Sequence, residues 1–386
     1  MFIGRDDFNA DSGWVKTGSF VDSTKSISSG SMTLTAGAGG AGSSAWKKDG
    51  LDGWNVSITV RAGASIANIP QIHLRQADAS NYLVVYLDPS DATLNIGKVV
   101  AGVYTSLGSI ASSIVSGGTY TFTGKVYGNF LYGAILTADG LNNVFKQLYY
   151  IGSDVSAFGA TTHGIGLNAN TQKYDWVDMR VLDHFTNVVC VGDSNVGADN
   201  RLYWPNQMMK RRFNDGFASF NQGTGGYSTQ DIYDERSTRI DPYLITGFGA
   251  DNIVSIATGN NDYAKESKTP AQAYDVQKTL MAYCQGLGFR CELATLIPFP
   301  YADRGGQTSL EFVDGLNTLI RGGPATYNYT LCEIHNAFGA TDGQLGVVPS
   351  DLVNSDQIHY STASGHILAA KTHLYTLARN ERLAIS

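Results

Sequence analysis

Four short stretches of this 386-residue chain hold the residue types an acyl-transfer reaction needs. They are Gly192-Asp193-Ser194-Asn195, Asn221-Gln222-Gly223-Thr224-Gly225-Gly226, Gly259-Asn260-Asn261-Asp262 and Asp356-Gln357-Ile358-His359. Ser194 is the candidate nucleophile, but a serine hydroxyl is inert until a base takes its proton. His359 supplies that base. Asp356, three residues earlier, lies on the same side of a short turn and is placed to hold the imidazole while His359 reaches Ser194. The reaction also needs donors where the carbonyl oxygen becomes an oxyanion, and the two middle stretches supply glycine and asparagine.

The elements around these stretches explain how they are presented. The apolar run Val188 to Val191 ends abruptly in Gly-Asp-Ser, which puts Ser194 at the carboxyl end of a strand, where open α/β sheets place their ligands. Further strands are expected at Phe217 to Asn221, Asn252 to Thr258, Arg290 to Leu296 and Thr330 to Ile334. Helical segments are expected at Tyr203 to Phe213, Thr229 to Arg239, Pro270 to Leu287, Leu310 to Arg321 and Ala363 to Arg379. Pro270 at a helix start and Gly288 just past an end are the usual punctuation. Strands alternating with helices imply a parallel sheet covered on both faces.

In order and spacing, the four blocks resemble those of the SGNH (GDSL-type) hydrolases, and the resemblance spans nearly all of residues 186–386. It implies an α/β/α three-layer, flavodoxin-like domain with a five-stranded parallel sheet, a Ser-His-Asp triad of Ser194, His359 and Asp356, and no cofactor. It also implies an oxyanion hole from the backbone N–H groups of Ser194 and Gly226 and the side chain of Asn261, with Gly223 and Gly225 competing for the glycine's place. Tyr227, Asp262 and Tyr263 are then expected to contact substrate. Asn195 stands where the family varies. His335, His366 and His373 read as strand-end or helix residues without partners. No His, Asp and Glu cluster has metal-ligand spacing, so metal-dependent deacetylation is disfavoured.

Residues 1–185 read differently. They hold no glutamate, which favours helices, and all their acids are aspartate, which favours turns. Runs of period near two recur at Asn55 to Val60, Tyr82 to Leu87, Thr93 to Val99, Tyr120 to Val126, Leu131 to Leu136 and Trp176 to Val181. Turn signals such as Ser116-Gly117-Gly118 and Asp139-Gly140 separate them, and the expectation is an all-β sandwich. Ser26 to Ser44 reads as a wide loop around a short Met32 to Thr35 strand. Tyr82 to Leu87, a Gly-Lys strand and Gly164-Ile165-Gly166-Leu167 before Trp176 resemble the rhythm of concanavalin/laminin-G-like jelly-roll sandwiches. That resemblance implies glycan binding, with Trp46, Trp54, Tyr82, Tyr104, Tyr127 and Tyr132 as candidates against a role in the core. Asp88 and Asp91 suit a surface turn better than a Ca²⁺ site. With no linker at Asp183 to Thr186, the two domains are expected to pack together.

Composition narrows the partners. The net charge is −7, with 43% hydrophobic and 16% charged residues. With a pI near 5.5, this argues against nucleic acid or an anionic membrane held by charge. No apolar run is long enough to span a bilayer. The start Met1 to Asp7 lacks the features of a secretion signal, so the chain is expected either to be made without one or to have lost it. Cys190, Cys284, Cys291 and Cys332 read as free buried thiols, a Cys284–Cys291 disulfide being the alternative. The whole reads as a serine esterase removing acetyl groups from a polysaccharide outside cells. Asp6-Asp7-Phe8-Asn9 and the leaderless start resemble tail-associated enzymes of bacteriophages, which implies a virion-associated place of action. A lipase- or thioesterase-type acyl hydrolase and a non-catalytic glycan-binding or virion structural protein are the alternatives.

Overall fold

The computed structural model describes residues 2–10, 14–17, 24–35, 44–48, 55–64, 69–137, 145–160, 162–167, 171–197, 203–212, 216–246, 249–341, 344, 348–361 and 364–385. Two compact units emerge. One comprises Met1–Phe185, Phe213–Gly216 and Ile245–Ala250; the other comprises Thr186–Arg212, Phe217–Leu244 and Asp251–Ser386.

The first unit is built from strands whose side chains alternate between a shared core and the outside. In chain order these are β1 (Phe2–Asp6), β2 (Trp14–Thr17), β3 (Thr24–Ser28), β4 (Ser31–Thr35), β5 (Ser44–Lys48), β6 (Val56–Ala64), β7 (Pro70–Asp78) and β8 (Asn81–Asp88). They continue through β9 (Thr93–Val100), β10 (Val103–Ala111), β11 (Gly118–Tyr127), β12 (Phe130–Thr137) and β13 (Phe145–Ile151). A short helix α1 (Ser153–Ser156) precedes β14 (Thr162–Leu167) and β15 (Thr171–Val181). One antiparallel sheet runs β13-β12-β11-β6-β15-β4-β3, with β1 also on β15, and the other runs β10-β9-β8-β7-β14-β5-β2. The sheets face each other: a Cβ on Gly124 of β11 would touch Val85 and Ile72 of the opposite sheet, at 3.0 and 3.1 Å. Val56, Ile58, Phe122, Ile72, Val85 and Ile96 fill the space between them.

Several expectations change here. Ser26 to Ser28 is not loop but one arm of a hairpin, with Ile27 opposite Met32. Strand β7 is not among the expected strands although Gln71-Ile72-His73-Leu74-Arg75 alternates polar with apolar, and its polar His73 and Arg75 are as buried as Ile72 and Leu74. Of the candidate sugar-stacking aromatics, Tyr82, Tyr127 and Tyr132 are buried, and Tyr104 is exposed. Tyr104 lies edge-on to Tyr86 with centroids 6.0 Å apart. The Trp46 side chain, Trp54 and the Asp139-Gly140 turn lie outside the described residues. Asp88 is occupied in its own turn by the N–H and hydroxyl of Ser90.

The second unit has one parallel sheet. Its strands are β16 (Thr186–Gly192), β17 (Phe217–Asn221), β18 (Asp251–Ala257), β19 (Arg290–Ala294) and β20 (Tyr329–Cys332), in the order β17-β16-β18-β19-β20. This is the doubly wound 2-1-3-4-5 order, with a switch point beside the first strand. The helices are α2 (Trp204–Arg211), α3 (Thr229–Asp234), α4 (Arg236–Arg239), α5 (Asn260–Ala264), α6 (Pro270–Leu287), α7 (Ser309–Gly322), α8 (Pro324–Tyr327), α9 (Ile334–Ala337) and α10 (Gly365–Ile385). They form two layers. On one face, Glu292 and Cys332 reach His373 of α10. On the other, Cys291 points to α6 and the Tyr329 hydroxyl meets Tyr274 of α6 at 3.2 Å.

The capping box at Thr269, where the hydroxyl accepts the Gln272 N–H and the Gln272 side chain accepts the Thr269 N–H, sets the start of α6. Gly288 at φ 100° ends it. The expected helix over Thr229 to Arg239 is two, broken at Glu235, whose carboxylate is drawn to Tyr227 and Arg239. All four cysteines are buried and free, so there is no Cys284–Cys291 bridge.

The carboxyl end of β16 is closed to any side chain at Gly192. A Cβ there would overlap the carbonyl oxygen of Ala257 and the Val196 side chain. Gly192→Ala is expected to destabilise the protein by about 1–3 kcal/mol by overpacking. Thr269→Ala, which removes only a helix cap, should cost about 1 kcal/mol. Urea titrations measure both, and an alanine tolerated at position 192 at no cost would show that the strands need not approach so closely.

Candidate active site

Three loops at the carboxyl edge of the parallel sheet meet around Ser194. The nucleophile turn is shaped by Asp193: its Oδ1 accepts the Asn195 N–H at 2.8 Å, and its carbonyl accepts the N–H groups of Val196 and Gly197 at 3.1 and 2.9 Å. The loop after β17 is fastened to this turn by backbone bonds from Gln222 to Cys190 and Thr224 to Gly192, at 2.8 and 3.0 Å. Asn221 adds a bond from its amide to Val196 O at 3.2 Å.

The loop after β18 begins at Gly259, φ 139°, where an added Cβ would press on Leu296 and Leu316. Only glycine turns the chain here without strain. The last loop is a tight hairpin: Val353 bridges Tyr360, and Asn354 N–H reaches His359 O at 2.8 Å.

The structure brings Ser194, His359 and Asp356 into one chain of hydrogen bonds. His359 Nε2 lies 2.8 Å from Ser194 Oγ, across 165 residues of sequence. His359 Nδ1 lies 2.6 Å from Asp356 Oδ2. The two oxygens of Asp356 divide the work. Oδ1 accepts the N–H groups of Ile358 and His359, at 2.9 and 3.1 Å, and so shapes the turn, while Oδ2 holds the ring. Burial alone would raise the Asp356 carboxyl, but the bonds from His359 and from these N–H groups outweigh it and hold it below the ordinary range. Asp356 thus stays ionised, and Nδ1 must carry a proton, leaving Nε2 to accept one from Ser194.

Asn261 stands at the start of α5. Its Nδ2 donates to Tyr227 O at 3.0 Å, and since an amide nitrogen carries two hydrogens, one remains for an oxyanion. Gly226, at φ 81°, has its carbonyl bound by Lys265 Nζ. Gly225 is also beside the nucleophile, a Cβ on it falling 3.9 Å from that of Ser194, whereas one on Gly223 would run into Val196. The Gly223 N–H is spent on Asn221 Oδ1 at 3.1 Å, so Gly223 drops out of the competition for the glycine donor.

Two of the three expected substrate contacts are structural instead. Asp262 is buried, accepting Thr229 N–H and Oγ1 at 3.0 and 2.7 Å and the Lys268 ammonium at 3.1 Å. Tyr263 is buried too, its hydroxyl donating to the carbonyls of Ala302 and Gln307. The turn after β18 is instead tied by Asp262 to Thr229 at the start of α3. Tyr227 stays half-exposed, with its hydroxyl on Glu235 at 2.9 Å. Trp204 and Phe299 are buried. The Tyr301 phenol is raised by burial and then by the carboxylates of Asp193 and Asp356.

The three histidines read as partnerless have partners. His373 stacks on Trp204 at 3.8 Å, bonds Glu292, and lies 3.3 Å from Cys332 Sγ. Donor atoms of Glu292, Cys332 and His373 lie within 4.8 Å of one another, a buried cluster no sequence spacing reveals. His335 approaches Arg321 at 3.3 Å. His366 packs between Tyr203 and Tyr360. Burial, then the nearby His359, lowers its pKa to about 3, so it stays neutral.

Beside the Asp356 turn lies a cleft of about 370 Å³ lined by Pro298, Val348, Ser350, Val353, Asn354, Ser355 and Gln357. Its polar side chains are amides and hydroxyls without charge.

No protein-family profile matches the chain, and no curated protein matches it. Among solved structures it is similar to a lipolytic protein of the G-D-S-L family from Desulfitobacterium hafniense DCB-2, at 15% identity and TM-score 0.40, covering 49% of this chain and 98% of that one. It is also similar to Axe2, an acetylxylan esterase from Geobacillus stearothermophilus, at 15% identity and TM-score 0.38, over 50% of this chain and 94% of that one. A third likeness is to the carbohydrate-binding module CBM66 from Bacillus subtilis, at 12% identity and TM-score 0.33, over 44% and 96%. Identities and scores this low leave the chemistry to be read from the site itself.

Asp193 gives the site a testable signature. Burial pushes its carboxyl up to about 6, although the Asn195 N–H and His359 pull it down. A carboxyl raised above its unfolded value of about 3.9 stabilises the fold most when protonated. Its contribution is fully present below about pH 4 and is lost as pH rises through about 6. Asp356, held low, has the opposite sign: its contribution is present above the unfolded value and lost as pH falls through the depressed one. Asp193→Asn keeps an acceptor for the Asn195 N–H and removes the buried charge. At pH 7.5 it should be more stable than wild type by on the order of 1–3 kcal/mol, with the gain fading towards pH 4. Urea titrations across that range check this, and a gain independent of pH would contradict the desolvation argument.

Proposed function

We propose that this chain is a serine esterase that removes acetyl groups from an acetylated polysaccharide. The observation that carries the reading is the unbroken chain from Asp356 Oδ2 through His359 to Ser194 Oγ, at 2.6 and 2.8 Å. His359 takes the Ser194 proton as Oγ attacks the ester carbonyl. The oxyanion is held by N–H groups of Ser194 and Gly226, or Gly225, and by the Asn261 amide. The protonated imidazole, stabilised by Asp356, then gives its proton to the leaving alcohol. Water, activated by the same imidazole, releases the acid and restores Ser194.

The substrate class is supported by the cleft beside the Asp356 turn. Its uncharged mixture of Ser350, Asn354, Ser355 and Gln357 with Pro298, Val348 and Val353 suits a sugar, which presents hydroxyls at its edges and C–H groups on its faces. A long acyl chain would call for an apolar groove. The β-sandwich unit, with exposed Tyr104 on an outer strand, is a second surface on which a glycan can stack. Such polymers lie outside cells, and we place the activity there.

Ser194→Ala is expected to lower hydrolysis of 4-nitrophenyl acetate by at least about 10⁴-fold. Wild type should prefer acetyl to octanoyl esters and release acetate from at least one of a panel of acetylated polysaccharides. Preference for octanoyl with no polysaccharide responding would make this a lipid-type acyl hydrolase. Equal inactivity of wild type and variant on every substrate would make it a binding or structural protein.

A further inference from the structure

Ser194 and His359 are brought together across 165 residues, so something must hold their backbones in register. In most of the unit the sheet does this. Around His359 it does not, because the Asp356–His359 hairpin belongs to no strand of the parallel sheet.

The residue next to the nucleophile closes this gap. Asn195 is 5% exposed, and both ends of its amide are spent on the residues flanking His359. Nδ2 donates to Ile358 O at 3.1 Å, and Oδ1 accepts the Tyr360 N–H at 3.0 Å. Its own N–H goes to Asp193 Oδ1 at 2.8 Å. The amide orientation follows from the partners, since a carbonyl can only accept and a backbone N–H can only donate.

We propose that Asn195 is a positioning residue of the esterase, a clamp that sets where His359 stands relative to Ser194. The inference rests on the esterase reading, but the geometry belongs to this side chain alone. Asn195 imitates one residue of a neighbouring strand, presenting a donor and an acceptor to the two peptide groups around His359. Ser194 and the clamp share a peptide bond, so displacement of the hairpin at Ile358 or Tyr360 is corrected within one residue of the nucleophile. No other side chain supplies this pair at this length. Aspartate keeps the acceptor for Tyr360 N–H but sets a carboxylate oxygen against Ile358 O. Leucine has the shape and neither bond. Serine cannot span the distance. Residue 195 therefore matters for the rate without touching the substrate.

The test compares wild type, Asn195→Leu, Asn195→Asp and a remote core variant, Leu280→Ala in α6, which serves as a control for general loosening. For Asn195→Leu, kcat on 4-nitrophenyl acetate is expected to fall about 10- to 100-fold with KM within about twofold, since a misplacement near 1 Å costs about that much. Asn195→Asp, nearly isosteric, should fold and lose part of the rate. The independent readout is the downfield proton resonance of the His359 Nδ1–H bonded to Asp356, assigned by its absence in His359→Ala. It should shift or broaden in both Asn195 variants and stay in place in Leu280→Ala.

An unmoved resonance with kcat within twofold of wild type would overturn the clamp, as would a loss of kcat no larger than that of Leu280→Ala. Should the leucine variant fail to fold, the aspartate variant decides by the same criteria. An inactive wild type would instead sink the esterase reading, and the resonance would still report on the clamp.

Discussion

The whole site depends on one short hydrogen bond between groups that the chain brings from far apart. Ser194 Oγ and His359 Nε2 stand 2.8 Å apart, and a bond of that length fails with a displacement of about 1 Å. The protein meets this tolerance with backbone bonds, which are stiffer than side-chain packing. Asp193 O and Oδ1 wind the nucleophile turn, Asp356 Oδ1 winds the histidine turn, and Thr224 N–H ties the glycine loop to Gly192 O. Each carboxylate near the reaction thus shapes backbone with at least one oxygen. The rigidity of the site comes from turns made by acidic residues and only indirectly from the sheet.

That solution has an electrostatic cost. Asp193 and Asp262 are both buried and both raised by loss of water, and Asp193 lies in the fields of His359 and Asp262. Only Asp262 has a cation in direct contact, Lys268, among the described residues. A buried carboxylate near a histidine destabilises the resting protein at neutral pH but favours an imidazolium when one forms. The imidazole of a serine esterase must become positive in the transition state. A price in resting stability and a gain at the reacting step therefore have the same source. The neutral His366, close to His359, adds no opposing charge.

The sequence was most legible where one physical demand governed a whole segment. Val188 to Val191 reads as a strand because both faces of a parallel sheet are covered, leaving no polar position. Helix α6 reads to the residue because Thr269, Pro270 and Gly288 each have a local backbone reason to stand where they do. The same reasoning failed wherever a polar side chain was buried with partners from elsewhere. Asp262 and Tyr263 read as substrate contacts yet are buried, and Glu292, Cys332 and His373 are 40 and 41 residues apart yet share one contact. Asn195 looked like a neutral departure, because its importance lies in two peptide groups that no spacing rule connects to it.

The buried cluster under the sheet is the last support of the histidine hairpin. Beyond the hairpin, Ser361 Oγ caps α10 by accepting the N–H groups of Ser364 and Gly365, at 3.3 and 2.9 Å. Two turns further on, His373 joins α10 to the sheet through Glu292, with Trp204 of α2 stacked on its ring. The same Glu292 oxygen also accepts the Ser255 hydroxyl at 2.7 Å. Polar contacts of this kind are weak sources of stability, since an apolar core of equal volume would serve as well or better. What they supply is a single rotational and axial setting for the helix: apolar side chains tolerate sliding, but a carboxylate and an imidazole must meet atom to atom. The register of α10 fixes where its first turn begins, and Ser361 passes that setting to the two residues before it. The triad's histidine is thereby held from both sides, by Asn195 at the nucleophile and by a buried hydrogen-bonded cluster on α10.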